Sequence, residues 1–155
     1  SSISHGVKIF QNYKLSSRDR KFRISKIYNN YHDKIYKIIK REKINLIISL
    51  HSFNPYYKKK KRNIKFGILS NSDRRYSDII IEILNKKGYR VGDNQPYEGN
   101  LTEDTMHRHG LRNGILHTLI ETRNDLLQSK KNISDIANIL FQAIRSSKQK
   151  VRKYL

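Results

Sequence analysis

The run Asn45-Leu46-Ile47-Ile48-Ser49-Leu50-His51-Ser52-Phe53-Asn54-Pro55 decides the fold. Its short apolar stretch, Asn45 to Leu50, lacks helical spacing and gives way to the turn chemistry of Asn54-Pro55. Such a run suits a strand buried on both faces, as in a parallel sheet. It leaves His51 just past the strand's carboxyl end.

Toward the N-terminus, Ile24, Ile27, Tyr28, Tyr31, Ile35, Ile38 and Ile39 recur at helical spacing among Lys, Arg and Asn. One long amphipathic helix, roughly 17–42, is expected, capped by Ser16 with Asp19 three residues on. Residues 1–15 show no period and read as an irregular lead-in. Toward the C-terminus a basic loop, Lys58 to Arg62, leads to a second strand, Ile64 to Leu69. Ser72-Asp73 opens a helix through Asn85 that Gly88 ends in the C′ position. A third strand is expected at Tyr89 to Val91, then a loop from Gly92 to Gly99, then a fourth strand from Leu116 to Glu121. The last helix starts near Ser134, with Ile136, Ile139, Leu140 and Ile144 on one face. The basic end beyond it continues that helix or frays. Strands alternating with helices imply an α/β layered fold with a largely parallel sheet.

The 155 residues suit a single domain spanning 1–155. The absence of Cys excludes a disulfide scaffold, a thiolate metal site and a Cys nucleophile. No apolar run approaches the roughly 20 residues that span a bilayer, so no membrane partner is expected and the expected location is cytoplasmic. The 33 Lys and Arg against 13 Asp and Glu leave a net charge of +20, the electrostatic footprint of a nucleic-acid-binding protein. The same chain has 22 Ile, 20 Lys and 14 Asn against 2 Ala, the pattern of an AT-rich coding sequence. Codon bias can raise Lys without any partner, and net charge bears on association rather than on fold.

Sites in open α/β sheets gather beyond the carboxyl ends of strands, where this reading places His51 and Glu121. A strand-end His suits a metal ligand, and a strand-end Glu suits a general base. The alternative is that His51 bonds locally and that Glu121 pairs with Arg123 or another cation.

The strings LHSFNP, FGILSNSDRR, VGDNQPYEG and LIETRNDL, in this order and spacing, resemble the N-formylglutamate amidohydrolase family. The likeness runs from about Ser4 into the last helix and takes in the RISKIYNNYHDKI segment. It implies a three-layer α/β/α fold with a mostly parallel mixed sheet, of the zinc-carboxypeptidase type. It also implies hydrolysis of N-formyl-L-glutamate to L-glutamate and formate at a zinc ion, with Glu121 as general base and His51 as a zinc ligand. By the same resemblance Arg123 orients Glu121 or binds a substrate carboxylate, Asn94 and Tyr97 line the substrate pocket with Pro96, and Arg74 and His109 bind ligand. Asp73 is equally read as a helix N-cap.

The family's N-terminal segment, with a D-H-A-S-N-like motif that supplies further zinc ligands and a sheet strand, has no counterpart here. His5 falls in a different part of the pattern. The family's R-P-W-H block reads Arg62-Asn63-Ile64-Lys65. A catalytic zinc site needs three protein ligands. Of the other histidines, His32 is expected to face solvent or pack locally, and His107 and His109 point apart. His117 sits too far back along its strand. Three readings follow: an inactive C-terminal portion of such an enzyme, a chain completed by an N-terminal partner chain, or a basic nucleic-acid-binding module that reuses the fold. In the last, Lys58 to Arg62 would meet phosphates, with Tyr56 and Tyr57 stacking on bases. The small-molecule partner expected in the first two is an acidic N-acyl amino acid.

Overall fold

The structure, a computed structural model, describes residues 2–4, 7–9 and 12–154, with side chains from residue 13 onward. His5 lies outside the described residues. The chain divides into two compact units, residues 1–43 and 44–155.

In the first unit the expected irregular lead-in is a short antiparallel hairpin, β1 (Ser2–Ser4) with β2 (Val7–Ile9). The long helix forms as read. It runs as α1 (Ser17–Phe22), a π-helical stretch Arg23–Tyr28 and α2 (Asn29–Glu42). The Ser16 side chain caps it by accepting the Asp19 N–H at 3.1 Å. Lys43 closes it with a left-handed φ of 50°. His32 does not face solvent: it is buried, with the rings of Tyr28 and Tyr31 edge-on at 4.3 and 5.0 Å.

The second unit is α/β. Its sheet has the order β3 (Leu46–Phe53), β8 (Leu116–Arg123), β6 (Phe66–Leu69), β7 (Val91–Asp93). The β3–β8 and β6–β7 pairings are parallel and β6–β8 is antiparallel, so the sheet is mixed and mostly parallel. A small hairpin, β4 (Tyr56–Tyr57) with β5 (Lys60–Lys61), follows β3. Its turn residues Lys58 and Lys59 have φ of 44° and 65°, the signature of a primed hairpin turn.

Alternation along β8 sorts the two sheet faces. Leu116 and Ile120 join Phe66, Ile68 and the apolar sides of α3 (Ser77–Lys86) and α4 (Lys130–Val151) in the core. Thr118 lies on that face too, its hydroxyl 2.9 Å from that of Ser77 on α3. On α4, Leu140, Ala143, Ser147 and Val151 are buried at three- and four-residue steps, which is one helical stripe. His117, Leu119 and Glu121 point to the opposite face, where the π-helical turn Met106–Gly110 packs.

Several boundaries differ from the sequence reading for local reasons. The β3 strand continues through His51 to Phe53, and β8 continues to Arg123, so His51 and Glu121 sit inside strands near their carboxyl ends. β3 is also not buried on both faces. Among the described residues it is an edge strand, and Leu50 remains 63% exposed. The helix after β6 starts at Ser77 rather than at Asp73. Asn71 and Asp73 accept the backbone N–H two residues on, at 2.9 and 3.1 Å, and these side-chain turns compete with the helix. Asp73 is therefore not an N-cap. The helix ends as expected, with Gly88 at φ 79°. The last helix begins earlier than read, at Lys130, because Ser129 accepts the Asn132 N–H at 3.1 Å.

Candidate active site

Strand register builds the site. His51 on β3 lies opposite Glu121 on β8, Glu121 lies opposite Gly67 on β6, and Gly67 lies opposite Gly92 on β7. One row, His51–Glu121–Gly67–Gly92, thus crosses the whole sheet on the face turned away from α3 and α4. Two of its four members carry no side chain, which lets the loop after β7 lie flat on the sheet. A Cβ on Gly67 would stand 2.1 Å from the Gln95 carbonyl oxygen, and one on Gly99 would stand 2.3 Å from the Ser70 nitrogen. Asn94, at a left-handed φ of 47°, fixes the loop's start. Its Oδ1 accepts the Ser70 N–H at 2.9 Å, and its own N–H donates to the Ile68 carbonyl at 2.9 Å.

Beneath this loop lies a cavity of about 250 Å³, lined by His51, Glu121, Leu69, Leu119, Tyr97 and Met106 among others. Glu121 is buried at 5% exposure, and its Oε2 has no hydrogen-bond partner among the described residues. Burial raises the Glu121 carboxyl above the ordinary glutamate range, and the neighbouring His51 offsets part of that rise. A buried carboxylate oxygen without a partner is costly in a finished core, and one facing a cavity marks a place for a ligand or a proton.

The other residues nominated from sequence fall into distinct places. Tyr97 lines the cavity and is 46% exposed. Asn94 holds the loop rather than facing the cavity. The Arg123 guanidinium does not pair with Glu121. It donates to Asp125 at 2.7 Å and to the Arg62 and Ile64 carbonyls at 2.8 and 3.3 Å. Arg74 forks onto Asp93 at 2.7 and 2.9 Å, and also reaches Asp78 and the Ser70 hydroxyl. Asp93 foremost, with Asp78, raises its pKa further. Both arginines therefore act as ties between segments. His109 is buried in the turn Met106–Gly110 and does not line the cavity.

His117 is buried and fully bonded, with Nδ1 at 2.8 Å from the Ile115 carbonyl and Nε2 at 3.0 Å from the Asn71 side-chain nitrogen. A neutral ring protonated at Nδ1 satisfies both bonds. Sequence reasoning passed over Glu98 and Asp104, which also line the cavity. Asp104 was legible in principle as a turn former, its side chain accepting the N–H of His107, three residues on, at 2.7 Å.

Zinc is the cofactor that the sequence resemblance implies. The described residues bring His51 and Glu121 together, but no group of three or more His, Cys, Asp or Glu among them is placed to hold a metal ion. Three protein ligands are the norm for catalytic zinc. These residues alone do not make that site.

Fold and site together define an α/β domain that presents ionisable side chains near the carboxyl ends of adjacent parallel strands. The chain belongs to the N-formylglutamate amidohydrolase family, whose profile matches residues 2–128. A solved gene product from Agrobacterium tumefaciens is 28% identical, with a TM-score of 0.82 over 90% of this chain and 57% of its own. A solved N-formylglutamate amidohydrolase from Ralstonia eutropha shares the fold at 17% identity, with a TM-score of 0.62 over 92% of this chain and 57% of its own. This chain therefore spans little more than half the length of either. No curated protein matches it. No helix among the described residues is long and apolar enough to cross a membrane.

Proposed function

We propose that residues 1–155 form the C-terminal portion of an amide hydrolase domain acting on an acidic N-acyl amino acid of the N-formyl-L-glutamate type. The observation that carries this reading is the buried Glu121 carboxylate, unpartnered at Oε2 and set beside His51 under the Tyr97 loop. A carboxyl raised toward neutrality by burial is a better proton acceptor than an exposed one. Glu121 takes a proton from the attacking water and passes it to the leaving nitrogen, while Leu69, Leu119 and Met106 keep bulk water from the cavity.

His51 would be one ligand of the family's zinc. The others would come from residues outside those described, either in the same polypeptide or in a complementing chain. The edge of β3, with Leu50 exposed, is a suitable place for such a segment to join the sheet.

The test is formate release from N-formyl-L-glutamate with added zinc, alone and with a supplied N-terminal family segment. Glu121→Gln is expected to lower turnover by about 100- to 10,000-fold while the fold persists. Undiminished turnover in that variant would refute the assignment. The nucleic-acid reading rests on the exposed Tyr56 and Tyr57 beside the lysines of the β4–β5 hairpin. It requires affinity for DNA or RNA that falls steeply with salt.

A further inference from the structure

We propose that Arg62 binds the side-chain carboxylate of the substrate and so sets the preference for an acidic amino acid. The inference rests on the hydrolase reading above and deepens it. A cavity that selects an acidic amino acid needs a cation with free donors, and the two arginines nominated from sequence are committed elsewhere. Arg74 serves Asp78, Asp93 and Ser70, and Arg123 serves Asp125 and two carbonyls.

Arg62 differs in its donor accounting. Its Nη1 donates to the Asn54 carbonyl at 2.6 Å, whereas among the described residues none accepts from Nε or Nη2 and none forms an ion pair with it. Three aromatic rings surround its guanidinium carbon, with the centroids of Phe53, Tyr57 and Tyr97 at 5.6, 5.5 and 5.6 Å. Rings attract a guanidinium through their faces and leave its N–H edge open, and that edge is the part that meets a carboxylate in a fork.

Position and rigidity point the same way. Arg62 is not itself among the residues lining the cavity, but it reaches the site through Tyr97, whose ring centroid lies 5.6 Å from the guanidinium carbon and which does line it. Phe53 stands two residues beyond His51 on the same face of β3, about 6.6 Å along the strand. The Arg62 backbone is held on both sides, its N–H donating to the Pro55 carbonyl at 2.8 Å and its carbonyl accepting from Arg123 at 2.8 Å. A charge held this firmly loses little freedom when it binds. Lys58 to Lys61, exposed on the adjoining hairpin, add a positive field that draws anions toward it. On this account Arg123 is a positioning residue for Arg62.

The test measures binding of N-formyl-L-glutamate, N-formyl-L-norvaline and glutarate to the full chain by calorimetry. Wild type, Arg62→Gln and Arg62→Lys are compared, with melting curves to confirm folding. Arg62→Gln is expected to weaken N-formyl-L-glutamate about 10- to 100-fold while leaving N-formyl-L-norvaline within about twofold. Arg62→Lys, which keeps the charge and loses the fork, should fall between, and it reads the effect if the Gln variant does not fold. Equal loss for both formyl compounds, or no loss for either, overturns the assignment. Glutarate binding that depends on Arg62, without binding of either formyl compound, would uphold Arg62 and defeat the N-formylglutamate reading. Turnover of N-formyl-L-glutamate that ignores Arg62 would do the reverse. A wild type that binds none of the three would defeat both.

Discussion

The segment from Asn71 to Asp78 and the row from His51 to Gly92 adjoin the same sheet and treat charge in opposite ways. In the first, each carboxylate is answered. Asp73 binds Arg75, Asp78 and Asp93 share Arg74, and Asn71 bonds His117. In the second, a carboxylate is buried with an oxygen left open, and the sheet beside it is stripped to glycine so that a loop can cover it. The difference separates charges that hold the fold from a charge held ready for a ligand. It also explains why the two arginines singled out from sequence belong to the scaffold.

The contrast can be tested by breaking each side in turn. Gly67→Ala should have the largest effect on the open side. Its methyl group would meet the Gln95 carbonyl at 2.1 Å, so the covering loop must lift. A loss of about 1–3 kcal/mol in urea unfolding is expected, together with loss of ligand binding. An unaltered variant would mean that the loop does not rest on the row.

On the answered side, Arg74→Gln should cost less, about 1 kcal/mol, because the guanidinium is 35% exposed and its pairs are partly screened. The same unfolding measurement reads it, and ligand binding should be preserved. Loss of binding without loss of stability would return Arg74 to the site.

The smallest and most discriminating effect is the sign of the pH dependence. Glu121 has a raised pKa through burial, so its ionised form costs the fold stability at neutral pH. That cost disappears as the pH falls below the ordinary glutamate range, where folded and unfolded chains are both protonated. Asp73 has a lowered pKa, chiefly through its hydrogen bond with Arg75. Its stabilisation is present above the ordinary aspartate range and is lost as the pH falls through its folded value. Glu121→Gln should therefore raise the melting temperature at pH 7, whereas Asp73→Asn should lower it, and both differences should shrink in acid. Shifts of the same sign would erase the distinction between the two regions.

Sequence reading placed the long helices and the strands of the main sheet, the third of them two residues early, because apolar runs and helical spacing are local signals, but it missed the two small hairpins. It also placed His51 and Glu121 near the carboxyl ends of two apolar runs, and those runs became neighbouring parallel strands with the two residues opposite each other. Boundaries slipped where side chains intervened. Asn71 and Asp73 form their own turns and delay α3 to Ser77, and β3 runs on through a histidine that looked like its end. The roles of Arg74 and Arg123 were not legible. Their partners Asp93 and the Arg62 carbonyl are fixed only by the folded sheet, 19 and 61 residues away in the chain. For the same reason Arg62 read only as the end of a basic loop and as part of an altered family block, since its surroundings combine β3, the hairpin and the loop after β7.

The central claim is that Glu121 is a desolvated carboxylate whose Oε2 has no hydrogen-bond partner among the described residues. A ¹³C NMR titration of its side-chain carboxyl in the wild-type chain tests this directly, with Glu121→Gln used to assign the resonance. A midpoint above the ordinary glutamate range is predicted. A midpoint at or below that range would mean that a cation or donor answers Glu121 as Arg75 answers Asp73, and the contrast between the two regions would fall.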